Sequence, residues 1–180
     1  MEDLAATIEL EGGMKAKIVH DPDCGQPFEE DESIRIVVLH GKYSDPSEGK
    51  CGRSPEEVLA WVKENGGEWF TIPLWLYDHS GTSYRTGWTN PFHCPWDSGQ
   101  VGIVALKRAD FDLDDKELEK AAENIASTYS EWANGECYGY VIEDEEGNDL
   151  EACFGYVGLD DVIEAAKEAA PSRSPAPGFA

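Results

Sequence analysis

The hydrophobic and polar positions switch between a period of two and a helical period along this chain. "MKAKIVHD" (14–21) alternates apolar and polar residues and reads as a first strand. "IRIVVLH" (34–40), rich in β-branched residues, reads as a second. A helix is predicted from Ser54: "SPEE" offers Ser54 as N-cap, Pro55 in the first turn and Glu57 to close a capping box. Val58, Trp61 and Val62 form its apolar stripe, and "NGG" at 65–67 stops it. "EWFTIPLWLYDH" (68–79) reads as a long strand, in which Pro73 argues for an edge position or a bulge. "QVGIVAL" (100–106) is a further strand. Leu118, Ala122, Ile125, Tyr129 and Trp132 then fall on one face of the clearest helix, with Asp112, Asp114 and Asp115 at its start, where the helix dipole favours anions. "ECYGYVIEDEEGNDLEACFGYVG" (136–158) has the pattern of a β-hairpin, and "LDDVIEAAKEAA" (159–170) of a short closing helix.

Helices and strands therefore do not alternate one for one. The order predicts an α+β fold, with a mainly antiparallel sheet of about six strands and two or three helices packed on it. Residues 1–13 are expected to be a loose leader, 14–170 a single domain, and the Pro- and Ser-rich 171–180 a disordered tail.

Between two strand-like runs lies "YDHSGTSYRTGWTNPFHCPWDSGQVG" (77–102), which concentrates the reactive side chains. His79 or His93 as base, Cys94 as nucleophile and Asp97 as orienting acid would make a catalytic set. No nucleophile elbow of the GxSxG type is present, and sequence adjacency does not supply the geometry. The architectural reading is that Trp88, Phe92 and Trp96 pin an ordered loop by burial. Asp78 and Asp97, each followed by Ser and Gly, would fold their carboxylates onto backbone N–H groups. His20, Cys24, His93 and Cys94 could supply two His and two Cys, but the spacing matches no zinc signature. "GQVG" precedes a strand rather than a helix, so it is no phosphate cradle. No metal and no cofactor is expected.

Charge changes the picture more than any motif. The chain carries 37 acids against 14 bases, a formal net charge of −23. The acids divide 17 before Pro91 and 20 from there on, so they do not form an acidic tail. Such a surface repels nucleic acid and anionic lipid and attracts basic partners, although solubility or a salty cytoplasm would account for it equally. The candidate binding carboxylates are Asp112, Asp114, Asp115, Glu119 and Glu123 along the long helix, and Glu143, Asp144, Glu145 and Glu146 at the hairpin tip. Rows of that kind imitate the phosphate track of a duplex. The five Cys, odd in number and without a CxxC, read as reduced thiols, and the N-terminus has no apolar signal region, so a cytoplasmic setting is expected.

"LYDHSG", "PFHCPWDSGQVG" and "GECYGYVIED…CFGYVG" resemble a family of small proteins carried by phages, plasmids and integrative elements. The resemblance covers roughly 69–158 and transfers no catalytic residue. It implies a mobile-element setting, in which small acidic accessory proteins are often similar to antirestriction and anti-CRISPR inhibitors. The expectation is a non-enzymatic protein that binds a basic, nucleic-acid-handling host protein, with no direct contact to nucleic acid or membrane. The alternatives are a small Cys/His enzyme in the 77–102 loop, or a structural accessory protein of a virion or replication complex.

Overall fold

A computed structural model describes residues 3–170. It is α+β, with three helices and two antiparallel sheets of four strands each among the described residues. In place of the one sheet expected, the described residues form two compact units, 3–25 with 135–170, and 26–134, each with its own sheet. The physical reason is that the apolar positions serve separate cores, each sheet having its own helix or helices to bury against.

The first unit has the strand order β1 (Leu4–Glu9), β2 (Lys15–His20), β7 (Cys137–Glu143), β8 (Asp149–Val157). Met14, Ala16, Ile18, Tyr138, Tyr140 and Ile142 bury one face against Val162 and Ala166 of α3 (Leu159–Ala169). Part of the segment expected to be a loose leader, Leu4–Glu9, is thus strand β1. It pairs with β2 and packs Ala6 and Ile8 onto the same core, a weak apolar alternation that only its partner strand makes worthwhile. Gly12 and Gly13 adopt positive φ (74° and 77°) in the connecting turn, a conformation that side chains rarely tolerate.

The second unit has the order β3 (Ile34–Val38), β6 (Ser98–Lys107), β4 (Trp69–Asp78), β5 (Thr82–Thr86). One face, carrying Phe70, Ile72, Leu74, Leu76 and Val104, packs on Leu118, Ala122, Ile125 and Tyr129 of α2 (Asp115–Ala133). On the other, Val37, Trp69, Ile103 and Ala105 cluster with Val58 of α1 (Pro55–Asn65). Gly102 lets β3 approach β6: a Cβ there would stand 1.8 Å from the Val37 carbonyl oxygen. Pro73 sits in a central strand, not at an edge. Its pairing with β5 starts only at Leu74, so the missing N–H falls beyond the ladder, while its carbonyl accepts from Gly87 N–H at 3.1 Å. The register shift in β4–β6 follows at Leu74/Trp75, so the bulge expected of a strand proline is present beside it.

No helix among the described residues is long and apolar enough to cross a membrane.

Candidate functional site

Edge strand β5 lies within the segment expected to be an ordered loop, because "TSYRT" is mostly polar. Its outer N–H groups are closed by helix α2. Asn134 accepts from Thr82 N–H at 2.9 Å through Oδ1, Ser130 Oγ accepts from Tyr84 N–H at 2.7 Å, and Glu123 Oε2 accepts from Thr86 N–H at 2.8 Å. Alternate residues of a strand offer their N–H groups to one side, so two helix side chains and the C-cap Asn134 seal that edge against pairing with another chain. Thr86 Oγ1 adds a 2.9 Å bond to the same Glu123 oxygen, and Arg85 Nε donates to Oε1 at 2.8 Å. Partial burial works to raise the Glu123 pKa, but the bonds from Arg85 and Thr86 together outweigh it and hold the carboxyl below its usual range.

The rest of the helix edge is similarly committed. Asp114 is the N-cap, accepting from Glu117 N–H at 2.9 Å while Glu117 reaches back to Asp114 N–H at 2.9 Å. Asp115 pairs with Arg108, whose hydrogen bond lowers the Asp115 pKa. Glu119 accepts from the Trp88 indole N–H at 2.8 Å. Asp112 is exposed ahead of the helix. At the tip of the other unit, Glu143 pairs with Lys17, and Asp144 accepts from the side chain and backbone of Asn148, which lower its pKa. Glu145 lies over Gly13, and Glu146 is exposed. Of the expected binding carboxylates, Asp112, Glu145 and Glu146 are exposed and, among the described residues, hold no ion pair.

In the 77–102 segment the polar residues do satisfy one another, but not in the expected way. Asn90 organises the turn. Its Oδ1 accepts from Phe92 N–H at 2.9 Å, its Nδ2 donates to Ser98 Oγ at 2.9 Å, and Ser98 Oγ donates to the Cys94 carbonyl at 2.6 Å. Asp78 instead binds Lys42 Nζ at 2.7 Å, which lowers its pKa. The Trp pins are also corrected: Trp96 is 92% exposed and Trp88 61%, so neither is buried. Both follow the last residue of β5, and Trp88 meets the sheet edge-on at Phe70, with ring centroids 6.4 Å apart. Phe92 alone of the three is half-buried, stacked on Tyr77 with centroids 5.5 Å apart. The anchor that sequence reasoning missed is Trp75, whose Nε1 donates to the Gly87 carbonyl at 2.8 Å. Its signal was the inward–outward alternation of β4.

Cys94, Asp97 and His79 do converge. Cys94 Sγ donates to Asp97 Oδ2 at 3.3 Å, and His79 Nδ1 lies 3.8 Å from the same oxygen. The carboxylate stands between thiol and imidazole. A nucleophile–base pair requires the imidazole to take the thiol proton directly, with the acid behind it. Here the acid occupies the middle position, an order suited to holding two strand ends together: Asp97's carbonyl also accepts from Asp78 N–H at 2.9 Å. His93 is exposed.

His20 and Cys24 lie in one unit and His93 and Cys94 in the other. His20 rests against the Tyr138 ring, with centroids 4.9 Å apart. Burial, then the Cys24 thiol, push Cys137 up to about 12. Among the described residues no group of three or more His, Cys, Asp or Glu side chains is arranged to hold a metal. Comparison with protein-family models, curated proteins and solved structures finds no match.

Proposed function

We propose that the protein is a non-catalytic binding protein of a phage or mobile element. It acts in the host cytoplasm on a basic, nucleic-acid-handling protein, in the manner of antirestriction or anti-CRISPR inhibitors. The observation that carries this reading is the charge that remains once internal pairing is counted. Against 37 acids stand 14 bases. Of these bases Lys15, Lys17, Lys42, Arg85, Lys107 and Arg108 are each taken by a carboxylate of the same chain. The exposed carboxylates among the unmatched ones project a negative field that steers a basic groove toward the protein. Asp112, Glu145 and Glu146, along with acids outside the expected rows such as Glu29, Glu30 and Glu32, are its exposed sources.

The order thiol–carboxylate–imidazole at Cys94, Asp97 and His79 supports the non-catalytic side of the reading. The test is affinity capture from host lysate followed by salt titration. A basic partner whose affinity falls roughly tenfold or more between about 50 and 200 mM salt is expected. A captured partner that is acidic, or binding indifferent to salt, overturns the proposal.

A further inference from the structure

The two sheets treat their edges differently. In the second unit the outer N–H groups of β5 are taken by Glu123, Ser130 and Asn134, and on β3 the Val38 N–H is taken by Asp45 Oδ1 at 3.0 Å. In the first unit β8 is last in the strand order and has no such cover. Among the described residues no backbone hydrogen bond joins 151–154 to a further strand or to a helix, and residues 149–155 are all exposed. An open edge of this kind is where an extended chain adds as a new strand.

The side chains along the edge specify what adds. Phe154 lies over Gly139 of β7, where a Cβ would stand 2.2 Å from its Cδ1, and Ala152 is opposite Val141, so Ala152 and Phe154 share one face. Phe154 is nonetheless 51% exposed and Leu150 49%. Glu151 lies on the other face, where its Oε1 accepts from the Tyr140 hydroxyl at 3.0 Å. Residues 137–157 hold six acids and no Lys or Arg, and of the six only Glu143 has a cationic partner among the described residues, Lys17. The sheet's other edge, β1, carries one acid, Glu9, which is already paired with Lys15. The open stretch of β8 is short. Its ladder with β7 shifts register beside Leu150, and Gly155, at φ 91°, turns its N–H to Asp21 Oδ2 at 3.0 Å.

We propose that β8 takes up a short extended segment of a basic protein, in which Lys or Arg alternates with apolar residues. The segment's backbone completes the ladder along 151–154. A cation of the segment pairs with Glu151, with Asp149 and the acidic turn adding to the attraction, and its apolar residues extend the face of Ala152 and Phe154. A second copy of this chain is the poorer occupant, because it brings the same acids to the seam and a net charge of −23 against −23. The inference goes beyond the proposed function: it rests on the edge and the edge's own charge, and holds whether or not the protein carrying the segment handles nucleic acid.

The test is titration of the full chain followed by amide NMR, at about 150 mM salt to screen diffuse attraction. Three hexapeptides with blocked termini serve as probes: valine alternating with lysine, proline alternating with lysine, and valine alternating with glutamate. The second keeps the charge of the first, but its prolines have no N–H for a ladder. Saturable one-to-one binding of the valine–lysine peptide is expected, about tenfold or more tighter than the proline–lysine peptide, with no binding of the valine–glutamate peptide. The amides that shift, and that exchange more slowly at saturation, should lie within 149–155. Glu151→Gln keeps an acceptor for the Tyr140 hydroxyl, so its melting temperature should hold while the valine–lysine peptide weakens roughly threefold. If that variant melts early, the peptide comparison and the amide map decide alone. The proposal is overturned if the proline–lysine peptide binds as tightly as the valine–lysine one, if the valine–glutamate peptide binds, or if the shifts fall on β1 or the long helix instead. It is equally overturned if a folded Glu151→Gln binds like the parent, or if sedimentation shows the chain alone to be a dimer with the 151–154 amides already protected.

Discussion

Removing the Glu123 carboxylate tests whether the long acidic helix edge is a docking surface or a structural seam. Glu123→Ala strips the acceptor from Thr86 N–H and Thr86 Oγ1, on a residue only 8% exposed, and from the half-exposed Arg85. A buried donor left without an acceptor costs about 1–3 kcal/mol. The Arg85 pair adds roughly 0–1 kcal/mol, and the better helix propensity of Ala returns a few tenths. A net loss of about 2 kcal/mol is expected, and less for Glu123→Gln, whose amide oxygen still accepts one bond. Urea unfolding followed by circular dichroism measures it. The pH dependence provides a second arm. The folded-state pKa of Glu123 lies below its unfolded value, so its contribution is present above the usual carboxylate range and is lost as pH falls through the depressed folded pKa. The stability gap between the parent and Glu123→Gln should therefore be full at neutral pH and close on acidification. If Glu123→Ala unfolds at the parent's urea midpoint and instead weakens partner binding, the seam is wrong and the helix edge is a docking row.

Two further outcomes follow from the same geometry. Trp96→Ala should change stability by no more than about 0.5 kcal/mol, because Trp96 is 92% exposed, whereas Tyr84→Ala, at 2% exposure, should cost about 3–5 kcal/mol; thermal melts of the two variants decide it. With a thiol reagent at neutral pH, exposed Cys153 should label first, and Cys51 and Cys137, buried and raised to about 11 and about 12, only on unfolding. Mass-resolved labelling in which Cys94 outpaces Cys153 would restore it as a nucleophile.

The long helix and the strands with strong periodicity were legible because each buries a stripe that local pattern reports: Leu118, Ala122, Ile125 and Tyr129 lie where their spacing puts them. Strands β1 and β5 were not. "LAATIE" and "TSYRT" carry little apolar content of their own, and each becomes a strand through its partners, β2 for the first and β4 with α2 for the second. The division into two sheets was hidden for a related reason, since strands of both cores read alike and only pairing assigns them. The aromatic residues after β5 misled because apolar character predicts burial only where a surface exists to bury against. Trp96 has none, while Phe92 finds Tyr77. The acids were the reverse case. Their helical spacing was evident, but neither Trp88 as partner to Glu119 nor Arg85 and Thr86 as partners to Glu123 adjoin them in sequence.

The central claim is that this surface competes for a groove that handles nucleic acid. The direct measurement is displacement: the captured partner is bound to the immobilised protein and challenged with duplex DNA at fixed salt. The account predicts that DNA releases the partner competitively, and that neutralising Asp112, Glu145 and Glu146 to Asn and Gln weakens capture without changing the melting temperature. A ternary complex in which the partner holds DNA and this protein together, with affinities unchanged, would contradict it.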